Sequence, residues 1–145
     1  MGFFSFKKRS KYGNKTVRYN GMSFDSKKEL ERYHYLTRLE ISGVIEHLRR
    51  QVRFEIVPAI REEYEVQLKT KTTTKTRTVQ KAITYTADFE YYDVDTDSWI
   101  VEDVKSSPNQ AALDKCYVLK KKLMYALKGI KIKEVYSPNA NTRNE

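Results

Sequence analysis

The segments Val79-Gln-Lys-Ala-Ile-Thr-Tyr-Thr-Ala-Asp88-Phe-Glu-Tyr-Tyr92 and Trp99-Ile-Val-Glu-Asp103-Val-Lys105 decide how this chain folds. Both are rich in β-branched and aromatic residues, which favour strands. The acidic turn Asp93-Val-Asp-Thr-Asp97 lies between them and predicts a hairpin. Positions two apart on a strand share a face. Asp103 and Lys105 therefore project together from the end of the second strand, and Asp88 reaches the same spot if the strands are hairpin neighbours. Glu102 points to the opposite face by parity. Two carboxylates and a lysine at strand ends suit a hard divalent cation. Mg²⁺ takes one or two carboxylates and completes its shell with water and phosphate oxygens. The lysine can orient or help deprotonate an attacking water.

Outward from this centre the elements follow from local signals. Ser26 reads as a helix N-cap, with Glu29 at capping-box spacing. Leu30, Tyr33 and Leu36 form an imperfect helical stripe, and Gly43 stops the helix. Before it, Thr16–Tyr19 and Met22–Phe24 pair across the turn Asn20-Gly21. After it, Val52, Phe54 and Ile56 alternate with polar residues until Pro58, and Tyr64, Val66 and Leu68 alternate again. Lys69 to Thr78 is nearly all Lys, Thr and Arg, and reads as a long hairpin tip or mobile loop. Pro108 and Asn109 lead into a helix from about Gln110 to Lys128. Its apolar stripe is Ala112, Cys116, Leu119, Leu123 and Ala126, and Gly129 stops it. Ile130, Ile132 and Val135 make a last strand. The order helix, strands, helix, strand predicts an α/β or α+β domain, one sheet with helices against it. Residues 1–14 read as a basic arm, 15–136 as the folded domain and 137–145 as a loose polar tail.

Composition narrows the function. The 145 residues fit one domain. The longest apolar run, Leu123 to Leu127, is far short of the ~20 residues of a spanning helix. Phe3, Phe4 and Phe6 do not make the apolar segment of a signal peptide. Cys116 is alone, which excludes an intrachain disulfide and a cysteine-based zinc site and points to a reducing compartment. The net charge of +9 favours a polyanionic partner, most often nucleic acid. Two acid-free segments carry the excess. Residues 1–24 hold Lys7, Lys8, Arg9, Lys11, Lys15 and Arg18, and residues 66–87 hold Lys69, Lys71, Lys75, Arg77 and Lys81. Lys7, Lys8, Arg9 and Lys11 on the arm, and Lys71, Lys75 and Arg77 on the hairpin, are the candidate DNA contacts.

Asp88, a spacer, then Asp103-Val104-Lys105 resembles the signature of the PD-(D/E)XK nuclease superfamily. The usual proline before the first acid is Ala87 here. Phe24-Asp-Ser-Lys-Lys-Glu29 resembles the first-helix element of phage and archaeal Holliday junction resolvases, in which a glutamate joins the metal site. Tyr85 to Tyr91 and Val101 to Lys105 resemble a phage-encoded branch of these enzymes, with Ser106 in place of a frequent glycine. The resemblance covers about residues 20–136.

It implies a restriction-endonuclease-like core, a central mixed sheet flanked by helices, and Mg²⁺- or Mn²⁺-dependent cleavage of DNA. Asp88, Asp103, Glu29 and the Val104 carbonyl would hold the metal, and Lys105 would position the nucleophile. Glu31 is the fallback for Glu29, although it lies ~200° round the helix. The implied substrate is branched DNA, above all the four-way junction, cut by a homodimer in a cytoplasm, the host's if the chain is phage-encoded. The alternatives are a nicking or other structure-specific endonuclease, a cutter that needs a partner subunit, and a non-catalytic basic nucleic-acid-binding protein. His34 and His47 lack zinc-ligand spacing. Gln51 could assist the metal site or simply start a strand. Tyr33, Tyr35, Tyr85, Tyr91 and Tyr92 could stack on unpaired bases or fill the packing.

Overall fold

The computed structural model describes residues 15–140. The arm residues Lys7, Lys8, Arg9 and Lys11 and the end of the tail lie outside that range. A small hairpin, β1 (Val17–Tyr19) and β2 (Met22–Phe24), turns at Asn20-Gly21, both at positive φ. Helix α1 (Lys27–Ile41) follows, and the Ser26 hydroxyl caps it by accepting from the Glu29 amide. Strands β3 (Ile45–Val57) and β6 (Ile83–Asp93) pair antiparallel, as do β6 and β7 (Ser98–Val104). Strand β8 (Lys133–Val135) joins β7 in parallel, so the four-stranded sheet β3-β6-β7-β8 is mixed. Between β7 and β8 run α2 (Pro108–Leu113) and α3 (Lys115–Lys128), which cover the face opposite α1. Among the described residues, no helix is long and apolar enough to cross a membrane.

Each face of the sheet has its own core. Leu36 of α1 packs with Ile45, Phe89, Tyr91 and Ile100. Tyr117 and Met124 of α3 pack with Ile56, Tyr85, Ala87 and Val101. Tyr85, Ala87, Phe89 and Tyr91 share one parity, yet the first two face α3 and the last two face α1. Strand β6 therefore turns its inward side from one helix layer to the other at Asp88. Opposite this turnover, Gln51 on β3 takes φ +49°.

The structure corrects several expectations. The first long strand begins at Ile45 rather than near Val52, because Ile45 and Leu48 cover the α1 core across an irregularity between Glu46 and Arg49. The segment Lys69–Thr78 is mostly strand. Thr72–Gln80 forms β5, paired along its length with β4 (Ile60–Gln67), and only residues 68–71 turn. Threonine's strand preference and cross-strand pairing outweigh the lack of an apolar anchor. The strand expected from Val79 to Tyr92 is two strands, broken at Lys81-Ala82. The second helix breaks at Asp114, whose carboxylate caps the Tyr117 amide and restarts the helix as α3. That restart sets a different phase. Ala111, Tyr117 and Met124 are buried, while Ala112, Cys116, Leu119 and Ala126 face outward. The tail is not loose at its start, because the Pro138 and Ala140 carbonyls accept from Arg32.

Arg32 also holds the two layers together. Its guanidinium donates to both oxygens of Glu102, at 2.9 and 2.5 Å, and both side chains are wholly enclosed. The Tyr91 hydroxyl donates to the same carboxylate. Burial alone would lower the Arg32 pKa; the bonds and charge of Glu102 outweigh it and raise it. Arg32→Ala leaves the buried Glu102 without its guanidinium partner, and is expected to cost about 3–5 kcal/mol. Replacing both by apolar residues, Arg32→Met with Glu102→Leu, should cost less than Arg32→Ala alone. Urea unfolding of the three proteins checks this order.

Candidate active site

The β6–β7 ladder ends at the pair Phe89 and Glu102. One step further the strands splay, and side chains take over from the ladder. Asp88 Oδ2 accepts from the Val104 amide at 2.7 Å, bridging the gap. Asp103 projects from the facing strand with both oxygens engaged. Its Oδ2 accepts from the Tyr85 hydroxyl at 2.5 Å, and its Oδ1 lies 2.8 Å from Lys105 Nζ. The Lys105 ammonium stands 3.8 Å from the centre of the Tyr117 ring, a cation–π contact that fixes the side chain a second time. Asp88, Asp103, Val104 and Lys105 line one cleft of about 220 Å³, which Asp25 and Ser26 before α1, and Gln110 and Asp114 of the α2 segment, also line.

The cleft is short of positive charge. Burial, then repulsion from Asp103 and Glu29, push the Asp88 carboxyl up to about 8. Lys105 and the Val104 amide only partly oppose this rise. Buried oxygen donors with a deficit of countercharge fit a hard divalent cation, which favours such donors and keeps waters of its own. Among the described residues, no three His, Cys, Asp or Glu side chains stand together as a ready metal cluster. The fit therefore rests on the Asp88–Asp103 pair with the adjoining Val104 carbonyl.

Glu29 stands beside this pair rather than in it. It is buried, and its two oxygens accept from the Asp25 amide at 2.9 Å and Gln51 Nε2 at 3.0 Å. Burial is the main cause that raises its pKa. Glu31 is exposed and pairs loosely with Lys27. Gln51 thus touches the candidate site through Glu29. His34 packs edge to face with Tyr19. Lys71 lies in the β4–β5 turn, and Lys75 and Arg77 lie on β5, with Arg77 3.5 Å from Glu62.

Sequence reading missed two contributors. Tyr85 stood among generic tyrosines, although it positions Asp103, and Tyr117 was not singled out at all. Simple alternation puts Tyr85 on the face away from Asp103. The turnover of β6 at Asp88 reverses that assignment, and no residue pattern announced it.

A family model described as protein of unknown function (DUF1064) matches the chain over residues 9–138. No curated protein and no solved structure matches it.

The buried acid makes stability depend on pH. Asp88 keeps its proton to about pH 8 in the folded chain, against an ordinary value of 3.8. The folded state thus binds the extra proton between these values, and stability falls as pH rises through that window. Each unit of the raised pKa corresponds to ~1.4 kcal/mol. Asp88→Asn, which can still accept from the Val104 amide, should be more stable than the parent at pH 8 and no more stable near pH 4. Denaturation midpoints across that range, without divalent cations, test this. A difference that does not grow with pH contradicts it.

Proposed function

The chain belongs to the DUF1064 family, and we propose that it is a divalent-metal-dependent DNA endonuclease of the PD-(D/E)XK type. The observation that carries the proposal is the convergence of Asp88, Asp103 and Lys105 on one cleft at the splayed end of a hairpin. A non-catalytic DNA binder would gain nothing from an acid pair facing phosphates. Asp88, Asp103 and the Val104 carbonyl would hold Mg²⁺ or Mn²⁺, whose chemistry when bound is polarisation of the scissile phosphate and activation of water. Glu29 would support the metal site from beside the pair, with its oxygens oriented by Gln51 and the Asp25 amide. Lys105, held between Asp103 and the Tyr117 ring, would orient the attacking water and offset charge on the phosphate. Tyr85 fixes the carboxylate rotamer of Asp103.

The β4–β5 ribbon supports a DNA substrate. Its register places Tyr64 opposite Lys75 and Glu62 opposite Arg77, so Tyr64 and the basic residues of β5 share one face. Glu63 and Glu65 lie on the other, opposite Thr76 and Thr74. Glu62 shares the first face and lies 3.5 Å from Arg77, so that face carries two cations and one acid; a two-stranded ribbon of this kind can enter the major groove of a duplex. Together with the family resemblance, this favours branched DNA, with a four-way junction cut by a two-fold dimer as the preferred substrate and a cytoplasm as its setting.

Asp103→Ala should abolish Mg²⁺-dependent cleavage of a four-way junction while junction binding stays the same or tightens, because an acid beside phosphates is removed. Cleavage and gel-shift assays on one substrate separate the two effects, and retained activity would remove Asp103 from the chemistry. Millimolar Mg²⁺ or Mn²⁺ should raise the thermal midpoint of the parent more than that of Asp88→Asn, since only the parent can give up a proton to the solvent and offer the cation two carboxylates. Glu29→Gln should lower activity far more than Glu31→Gln.

The ribbon has its own readout. Lys71→Gln with Lys75→Gln should weaken junction binding and flatten the plot of log affinity against log salt by up to about 2, at ~0.9 for each phosphate the variant no longer neutralises. An unchanged slope and affinity would make the ribbon a bystander.

A further inference from the structure

The acidic cleft does not end at Lys105. A second cleft, of about 440 Å³, adjoins it, and Ser26, Val104, Lys105 and Ser106 line both. The charge reverses across this shared wall. The first cleft contains Asp88 and Asp103. The second has no acid in its lining and contains Lys15, Lys27 and Lys28 besides Lys105.

Lys28 is anchored at the seam. Its ammonium donates to the carbonyls of Lys105 at 3.5 Å and Ser106 at 3.1 Å. An ammonium has three donors, so one remains for a ligand. Lys27 lies 4.0 Å from Glu31 with both side chains well exposed, a pairing that water screens and that leaves its charge accessible. Lys27 and Lys28 are therefore not consumed by neighbouring acids, whereas Lys105 is held by Asp103.

A phosphate approaching Asp88 and Asp103 meets repulsion. A strand can offset that cost if its next phosphate falls among cations, whereas an isolated anion would stop at the lysines. We propose that the lysine cleft is a binding subsite for the phosphodiester that flanks the one in the acidic cleft. A nucleic-acid strand then runs along the wall formed by Ser26, Val104 and Ser106. The assignment rests on the endonuclease reading and deepens it by fixing the path of the strand.

The test uses the full chain carrying Asp88→Asn and a short labelled single strand, with binding followed by fluorescence anisotropy across a salt series. Adding Lys27→Gln and Lys28→Gln should weaken binding about tenfold and flatten the log–log salt slope by about 0.7, the increment for the one phosphate that the subsite neutralises on a single strand. Lys128→Gln with Lys131→Gln, at the far end of α3, removes the same charge and should change neither quantity. Circular dichroism of both variants confirms that α1 and α3 persist. If the parent binds and the cleft variant behaves like the α3 control, the subsite is overturned while the endonuclease reading stands. Equal losses in both variants indicate unspecific attraction and also overturn the subsite. A parent that binds neither this strand nor a four-way junction overturns both.

Discussion

Everything around the cleft depends on one buried ion pair. Arg32 and Glu102 lie wholly out of water, and such a pair is tolerated only when its hydrogen bonds are well satisfied. Here Tyr91 completes Glu102, and the Pro138 and Ala140 carbonyls complete Arg32. The pair fastens α1 to β7 at the residue next to Asp103. Because neighbouring residues on a strand face opposite ways, one short segment does two jobs. Glu102 ties the layers together on one side, and Asp103 stands in the cleft on the other. A slip of β7 by one residue would exchange those two carboxylates and ruin both.

The second constraint is the turnover of β6 at Asp88. A regular strand would send Tyr85 towards α1 and away from Asp103. By changing its inward side, β6 lets Tyr85 and Ala87 join the α3 core while Phe89 and Tyr91 join the α1 core. The strand pair loses a ladder step there, and the Asp88 carboxylate replaces it by bonding to the Val104 amide. The strained geometry of Gln51 lies across from the same point, and its side chain reaches Glu29. Irregular backbone and functional side chains thus coincide, as is common where a sheet opens to form a site.

Much of this arrangement was legible in the residues. Asn20-Gly21, Ser26 with Glu29, Pro58 and Gly129 mark boundaries through local backbone chemistry, which sequence carries directly. Parity separated Glu102 from Asp103 correctly, because β7 is regular. The failures have a different physical origin. Asp114 could be a helix interior residue or a cap, and only packing of Tyr117 against Tyr85 decides for the cap. Threonine-rich β5 has no core to announce it, since its strand is fixed by its partner β4. The place of Glu29 depends on which donors reach it: the Asp25 amide is local to the start of α1, but Gln51 arrives through tertiary structure.

The β4–β5 ribbon has a further consequence for how this fold can diversify. It pairs only with itself and joins the main sheet through Pro58-Ala59 and Lys81-Ala82. Nothing in either core requires a particular ribbon length. Each added cross-strand pair extends it by ~3.4 Å without disturbing a buried side chain. Adding pairs two at a time also preserves which face carries the cations. The reach of the arm is thus a variable that insertions and deletions can tune independently of the cleft, whereas β7 tolerates no change of register.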